Sequence, residues 1–361
     1  MTSIDSRPQY FHLLDGIRGL AALLVVLRHT GNYFGPIEFP ISYLAVDVFF
    51  LLSGIVIAGS YEKKLYAGLV STSFMKIRVA RIYPLYILGS MITFLAVSCH
   101  FDVDITVLQA VSALPLAILL SPSTLNGFPL NGPAWSVFFE LLINFIYGFF
   151  INFLTDLVLK LIVFASAVVL VAIVIMHPKH HLDVGFSFPY YAGFFRTTYS
   201  FFLGVLLFRK ITINKNVKVS SSSKIVLPWL IIGTITLLLM ASPSPVIRPY
   251  FVTALVLFVF PILIYISLWF QPSGFLALAC KKLGIASYGI YALHVPLAGF
   301  ISGFFVKILK LDVSQFAPWS GFIFLLLLFL ICLLLDPFYD KPVRRFLLST
   351  NQPSREIRTG I

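Results

Sequence analysis

Residues 13–30 read LLDGIRGLAALLVVLRHT, and how this run is read decides what kind of protein the chain makes. It holds no proline and is rich in Leu, Ala and Val. At about 1.5 Å per residue, eighteen helical residues reach about 27 Å, close to the hydrocarbon thickness of a bilayer. Arg18 and His29 lie eleven positions apart, which on a helix places them within roughly 20° of the same direction and about 16 Å apart along the axis. If the segment crosses a membrane, a fixed charge sits near one surface and an imidazole sits deep inside or near the other. An ionisable group in that setting is a functional hypothesis by default.

The composition supplies the membrane. Of 361 residues 59% are hydrophobic and only 11% charged, and the mean hydropathy is +0.96, values that exclude a water-soluble globular domain of this size. The expected fold is an all-α polytopic bundle of about ten spans, near 12–30, 43–60, 80–98, 137–153, 157–176, 190–208, 225–241, 250–270, 285–306 and 319–335. The apolar run 107–120 is short and precedes SPSTLNGFPLNGP, so it is read as a re-entrant or kinked segment. One membrane domain is expected over 1–361, with polar tails at 1–10 and about 347–361. No cleavage-site pattern precedes the first helix, which reads as a retained span.

Charge tests this layout. With both termini in the cytoplasm, 19 Lys and Arg fall on inside segments and only 4 (Lys179, Arg248, Lys307 and Lys310) outside, as the positive-inside rule asks. Counting 107–120 as a full span would invert every later loop and put the basic 209–224 loop outside. Most of the net charge of +12 is therefore topology, and no nucleic-acid partner is implied. An anionic cytoplasmic ligand remains compatible with it. Cys99, Cys280 and Cys332 have neither a disulfide framework nor metal-ligand spacing, and no metal site is expected. No Walker loop, GxGxxG, HExxH or GxSxG is present, and there are no matched broken helices of the kind that mark secondary transporters.

A few polar residues remain, each with a plain structural alternative. His29 is either a functional base or an imidazole that bonds one span to another. Arg18 either binds a ligand or snorkels to the headgroups, and Asp15, three residues earlier, is placed to pair with it. Arg28 points about 100° away from His29 and reads as an interfacial anchor. In MKIRVARIYPLY, Arg78 and Arg81 share one helix face and suit a polyanion, with Lys76 extending the patch. The alternative is positive-inside anchoring, with Tyr83 and Pro84 as belt residue and kink. AVDVFFLLSGIVIAGS carries Asp47 near an outer end, and Ser53, Gly54, Ala58 and Gly59 for close helix approach. NGPAWSVFFELL puts Trp135, Ser136 and Glu140 at the outer entrance of the fourth span. SYGIYALHVP sets Ser287 and His294 nearly on one face, beside Tyr288 and Tyr291, with His294 either a second base or a satisfied core histidine.

Six segments, LDGIRGLAALLVVLRH, VDVFFLLSG, RVARIYPLY, GPAWSVFFE, SYGIYALHVP and YDKPVRRF, occur in an order and spacing that resemble the integral-membrane acyltransferase 3 family across almost the whole chain. In that family a basic residue and a histidine separated by ten residues mark the first span, here Arg18 and His29. Its Arg-x-x-Arg motif falls on Arg78 and Arg81, and its Trp-Ser and acid motif on Trp135, Ser136 and Glu140. The closing motif has Asp340 where relatives usually carry Glu. The SGNH domain of many relatives has no counterpart here, so a stand-alone version is expected.

The resemblance implies acyl transfer from cytoplasmic acyl-CoA, acetyl-CoA foremost, to a hydroxyl of a cell-surface or lipid-linked polysaccharide such as an exopolysaccharide or O-antigen. The location it implies is the inner membrane of a bacterium. Acyl-CoA would be a co-substrate, with no tightly bound cofactor. The donor's phosphates would meet Arg78 and Arg81 with Arg18 and Lys76, and His29 would act as general base. Asp47 or Glu140 would orient His29 or hold the sugar, a choice the residues leave open. Two other readings stand beside this one, a proton-coupled transporter of an anionic small molecule and an O-acyltransferase acting on a small metabolite or antibiotic.

Overall fold

A computed structural model describes residues 11–101, 105–123, 127–177, 182, 183, 185, 191–213 and 223–349. The proposed tails at 1–10 and beyond 349, and most of the 209–224 loop, lie outside these residues. All ten segments read as spans are helical. In chain order we number α1 His12–His29, α2 Ser42–Tyr66, α3 Ser71–Ser98, α4 Val107–Ile118, α5 Ala134–Phe153, α6 Asp156–Met176, α7 Tyr191–Ile213, α8 Ser223–Met240, α9 Arg248–Ser267, α10 Gly274–Leu309 and α11 Trp319–Ser349. No strand forms among the described residues. Seven of the helices, α2, α3, α5, α6, α9, α10 and α11, are long and apolar enough to cross a membrane.

Two helices start well before their expected ends. α3 begins nine residues earlier than 80 and α10 eleven residues earlier than 285. The added turns hold Lys76, Arg78, Lys281 and Lys282, charges that end a hydropathy run but are good helix formers. α11 likewise runs on through Lys341, Arg344 and Arg345 to Ser349, two residues past the expected start of the tail. π-turns at Ala58–Glu62, Leu255–Val259, Phe305–Leu309 and Asp336–Asp340 let these long helices change face.

The run 107–120 forms the short helix α4. Its twelve residues reach about 18 Å, and a capping box of Thr106 and Gln109 starts it. Its neighbours α3 and α5 run antiparallel, with Ser71 donating to the Gly148 carbonyl and Arg78 meeting Glu140. The chain therefore leaves α3 and enters α5 at the same end of the bundle, and α4 does not carry it across.

Two parallel pairs organise the interior. α1 lies along α10, its most extensive helix contact, and α2 lies along α7. Both crossings are close enough to require glycine. A Cβ on Gly19 would fall 2.8 Å from the carbonyl oxygen of Leu283. On α2 and α7, a Cβ on Gly54 would overlap the Phe201 carbonyl oxygen, and one on Gly204 would overlap that of Leu51. This is the small-residue packing expected of Gly54.

The outer faces show what surrounds the bundle. Leu157, Leu161, Phe164 and Val168 form an exposed apolar stripe on α6, and Phe322, Leu326, Leu330 and Leu334 form another on α11. Exposed stripes of this length suit lipid and not water.

Replacing Gly54 by Val should force α2 and α7 apart and cost about 1–3 kcal/mol. The measurement is thermal unfolding of the purified protein in detergent. Gly233→Ala, on α8 with open space around its Cα, should leave the unfolding temperature unchanged or slightly raised.

Candidate active site

A cavity of about 300 Å³ opens between α1, α2, α3, α5 and α10, at the lower end of the range for small-molecule sites. Exposed Val56, Ser60 and Arg81 stand at its mouth, while buried Ser136, Val137, Ser287 and Tyr291 close its far end. Arg18, Arg78 and Arg81 all line it. The Arg-x-x-Arg spacing thus does bring both arginines to one face, and α1 delivers a third guanidinium from another helix. Lys76, two positions from Arg78, points elsewhere. It is exposed and does not line the cavity, a departure from the expected patch that follows from the 200° turn between i and i+2.

The three arginines are held differently. Arg18 donates to Asp15 Oδ1 at 2.9 Å, to Ser287 Oγ at 2.9 Å and to the Gly284 carbonyl at 3.1 Å, so the Asp15 pairing expected from spacing is present. Arg78 donates to Glu140 Oε1 at 2.8 Å, and Ser53 donates to the same oxygen at 2.9 Å. Arg78 Nε stays buried without a partner. Arg81 forms no ion pair or hydrogen bond with any described residue. An unmatched guanidinium at the mouth of a cavity, with its planar fork free, suits an incoming anion.

Beyond the closed end stands a pair of histidines. Tyr291 lines the cavity, its ring 5.4 Å from that of Phe49 and 5.9 Å from that of His294. Its hydroxyl meets Ser136 Oγ at 2.6 Å and donates to the Pro133 carbonyl at 3.0 Å. One turn further along α10, His294 Nε2 lies 3.2 Å from His29 Nδ1. His294 is fully buried, whereas His29 is exposed at the end of α1. The two residues at the ends of the eleven-residue interval therefore meet the same helix, Arg18 at Ser287 and His29 at His294.

Neither carboxylate considered as an orienter of His29 touches it. Asp47 accepts from Arg196 Nε at 3.1 Å and from Nη2 at 2.6 Å, and both side chains are about 1–2% exposed. The Arg196 guanidinium lies 5.5 Å from the Trp135 ring and 5.8 Å from that of Tyr43, so Trp135 belongs to this buried cluster and not to the cavity. Glu140 lies not at the entrance of α5 but two turns inside it, on Arg78. The residue beside His29 is His294, which the sequence offered as a rival base. Sequence reasoning also did not pair Asp47 with Arg196, although both stand out as charges within apolar helices.

The remaining candidates divide in the same way. Ser53, Ser136 and Tyr288 line the cavity, and the Tyr288 hydroxyl donates to the Ile82 carbonyl at 2.6 Å. Tyr83 lies off it and donates to the Ile118 carbonyl at 2.7 Å, tying α4 to α3. Arg28, the expected anchor, pairs with Asp183. At the other end of the chain, Asp340 is buried and pairs with Arg344.

The family model described as an acyltransferase domain matches residues 11–336. A Rhizobium radiobacter protein, described as protein 2 in the picA locus, is 42% identical over an alignment 166 residues long that covers 40% of this chain and 84% of that relative. No solved structure matches.

The bidentate Arg196–Asp47 pair makes a stability prediction. Arg196→Met or Asp47→Leu alone leaves a buried charge without its partner and should cost about 3–5 kcal/mol, while the double variant should regain most of the loss. Thermal unfolding of the four proteins in detergent reads this directly. Additive losses would show that the two groups act separately.

Proposed function

As the chain belongs to the acyltransferase 3 family, we propose that it moves an acyl group, most simply acetyl, from cytoplasmic acyl-CoA to a hydroxyl of a cell-surface or lipid-linked polysaccharide. One observation carries this reading: a cavity that opens beside three arginines ends one helical turn short of buried His294, which touches the exposed His29. In the proposed complex Arg81 and Arg78 hold the donor's phosphates at the mouth, with Arg18 further in. The pantetheine arm then runs along α1 toward Tyr291. His29 takes the proton of the acceptor hydroxyl as its oxygen attacks the thioester carbonyl. The C–S bond breaks, and the thiolate leaves as the thiol once it recovers that proton.

The same reading takes the chain across the bacterial inner membrane ten times, with both termini in the cytoplasm. Helix directions support it. The first and ninth spans, α1 and α10, run parallel, and so do the second and sixth, α2 and α7, as the odd number of crossings between the members of each pair requires. The acceptor comes to His29 from the opposite end of the bundle to the donor.

With radiolabelled acetyl-CoA and isolated membranes, His29→Ala should lower the turnover by about 10²–10⁴-fold while donor affinity holds. Transfer at the wild-type rate would remove His29 from the mechanism. Arg81→Ala should do the opposite, raising KM for acetyl-CoA about tenfold or more for the loss of a charge-assisted contact. An unchanged KM would return Arg81 to a topology signal. Mass spectrometry of surface glycans with and without the gene identifies the acceptor class by the loss of acyl groups.

A further inference from the structure

The contacts of the histidine pair determine where its protons sit. His294 Nδ1 lies 2.8 Å from the Tyr291 carbonyl oxygen and 3.1 Å from that of Ile290. A carbonyl oxygen only accepts, so Nδ1 of His294 carries the hydrogen. In neutral His294, Nε2 is then a bare acceptor, and it faces His29 Nδ1 at 3.2 Å. A second carbonyl makes the same demand from the other side, because the Val25 oxygen lies 3.0 Å from His29 Nδ1. Both neighbours of His29 Nδ1 are acceptors, so this nitrogen must be the protonated one. An Nε2–H on His294 would point a second hydrogen at it. Two protons thus occupy the two Nδ1 positions, and the bare nitrogen left facing outward is His29 Nε2, which hydrogen-bonds to no described residue.

We propose that His294 is a positioning residue for acyl transfer: anchored by the carbonyls of its own helix, it holds His29 in the Nδ1–H form and presents Nε2 as the base. The proposal rests on the assignment of His29 as general base. When Nε2 takes the acceptor proton, His29 becomes an imidazolium whose Nδ1–H still donates to His294 Nε2. His294 itself neither gains nor loses a proton. The arrangement does the work that a carboxylate does behind a catalytic histidine but places no second charge in the apolar interior. It also gives the full burial of His294 a purpose, since a solvated imidazole exchanges tautomers freely.

The test uses the full chain in proteoliposomes. Solid-state ¹⁵N spectra of histidine-labelled protein, with the His29 signals identified by their loss in His29→Gln, should show Nδ1 protonated and Nε2 bare. In His294→Phe the Val25 carbonyl remains as one acceptor for Nδ1–H, and the His29 signals should show a larger share of the Nε2–H tautomer than in the wild type. With acetyl-CoA as the probe and released or transferred label as the readout, His294→Phe should lower kcat by about 10²-fold or more and leave KM for acetyl-CoA unchanged. His294→Gln, whose amide oxygen takes the place of Nε2 as acceptor, should stay within about tenfold of wild type. A protonated Nε2 on His29 in the wild-type spectrum overturns the proposal whatever the activities. Wild-type kcat in His294→Phe beside an inactive His29→Gln overturns the positioning role and leaves His29 as base. A fully active His29→Gln overturns both.

Discussion

The parallel packing of α1 on α10 is the contact on which the site depends. At Gly19 the two backbones approach so closely that a methyl group would meet the Leu283 carbonyl, and this fixes the register for the whole length of the pair. From that register follow Arg18 on Ser287, His29 on His294 and, a turn later, the Tyr33 hydroxyl on the Ala298 carbonyl. Eleven residues on one helix span about 16 Å and seven on the other about 10 Å. The long Arg18 side chain, reaching along the axis to Ser287, takes up the difference. A slip of one residue at this interface would dissolve both ends of the site together.

Around that axis the interior charges are matched across helices. Arg196 meets Asp47, Arg78 meets Glu140, and Arg209 meets Glu62 at 3.0 Å and Asp156 at 2.7 Å. A lone charge in an apolar bundle is expensive, and pairing offsets much of that expense. Against this background the cavity mouth differs from the rest. Exposed Arg81 has no ion-pair partner among the described residues and stands beside the paired Arg78, so the local balance of charge at the mouth is positive while the described interior charges named above are paired.

How much of this was legible in the sequence depends on whether a feature lies within one helix or between two. Everything set by helical periodicity could be read: the ten helical segments, the shared face of Arg18 and His29, the Asp15–Arg18 pair, the shared face of Arg78 and Arg81, and the close-packing role of Gly54. The basic 209–224 loop gave the reason to read 107–120 as something other than a crossing helix. What failed was assigning partners across helices. Asp47 and Arg196 are separated by 149 positions and His29 and His294 by 265, and nothing in the period of either helix states which neighbour it faces. Glu140 was placed too shallow for a related reason. Hydropathy starts a span at its first apolar run, whereas α5 starts at Ala134, directly after Pro133. The starts of α3 and α10 were missed because lysine and arginine prolong a helix beyond the hydrocarbon that defines a span.

Tyr291 and Phe49 separate the cavity from the histidines, and Tyr291 is tied down by Ser136 and the Pro133 carbonyl. A protein that takes a donor from one side of a membrane and serves an acceptor on the other faces a second demand besides chemistry. An open bore between the two compartments would let ions and protons run down their gradients with every encounter. Under the proposed reaction the two edge-packed rings, one of them latched by hydrogen bonds, would stand between those compartments and would have to part for the acyl group to reach His29.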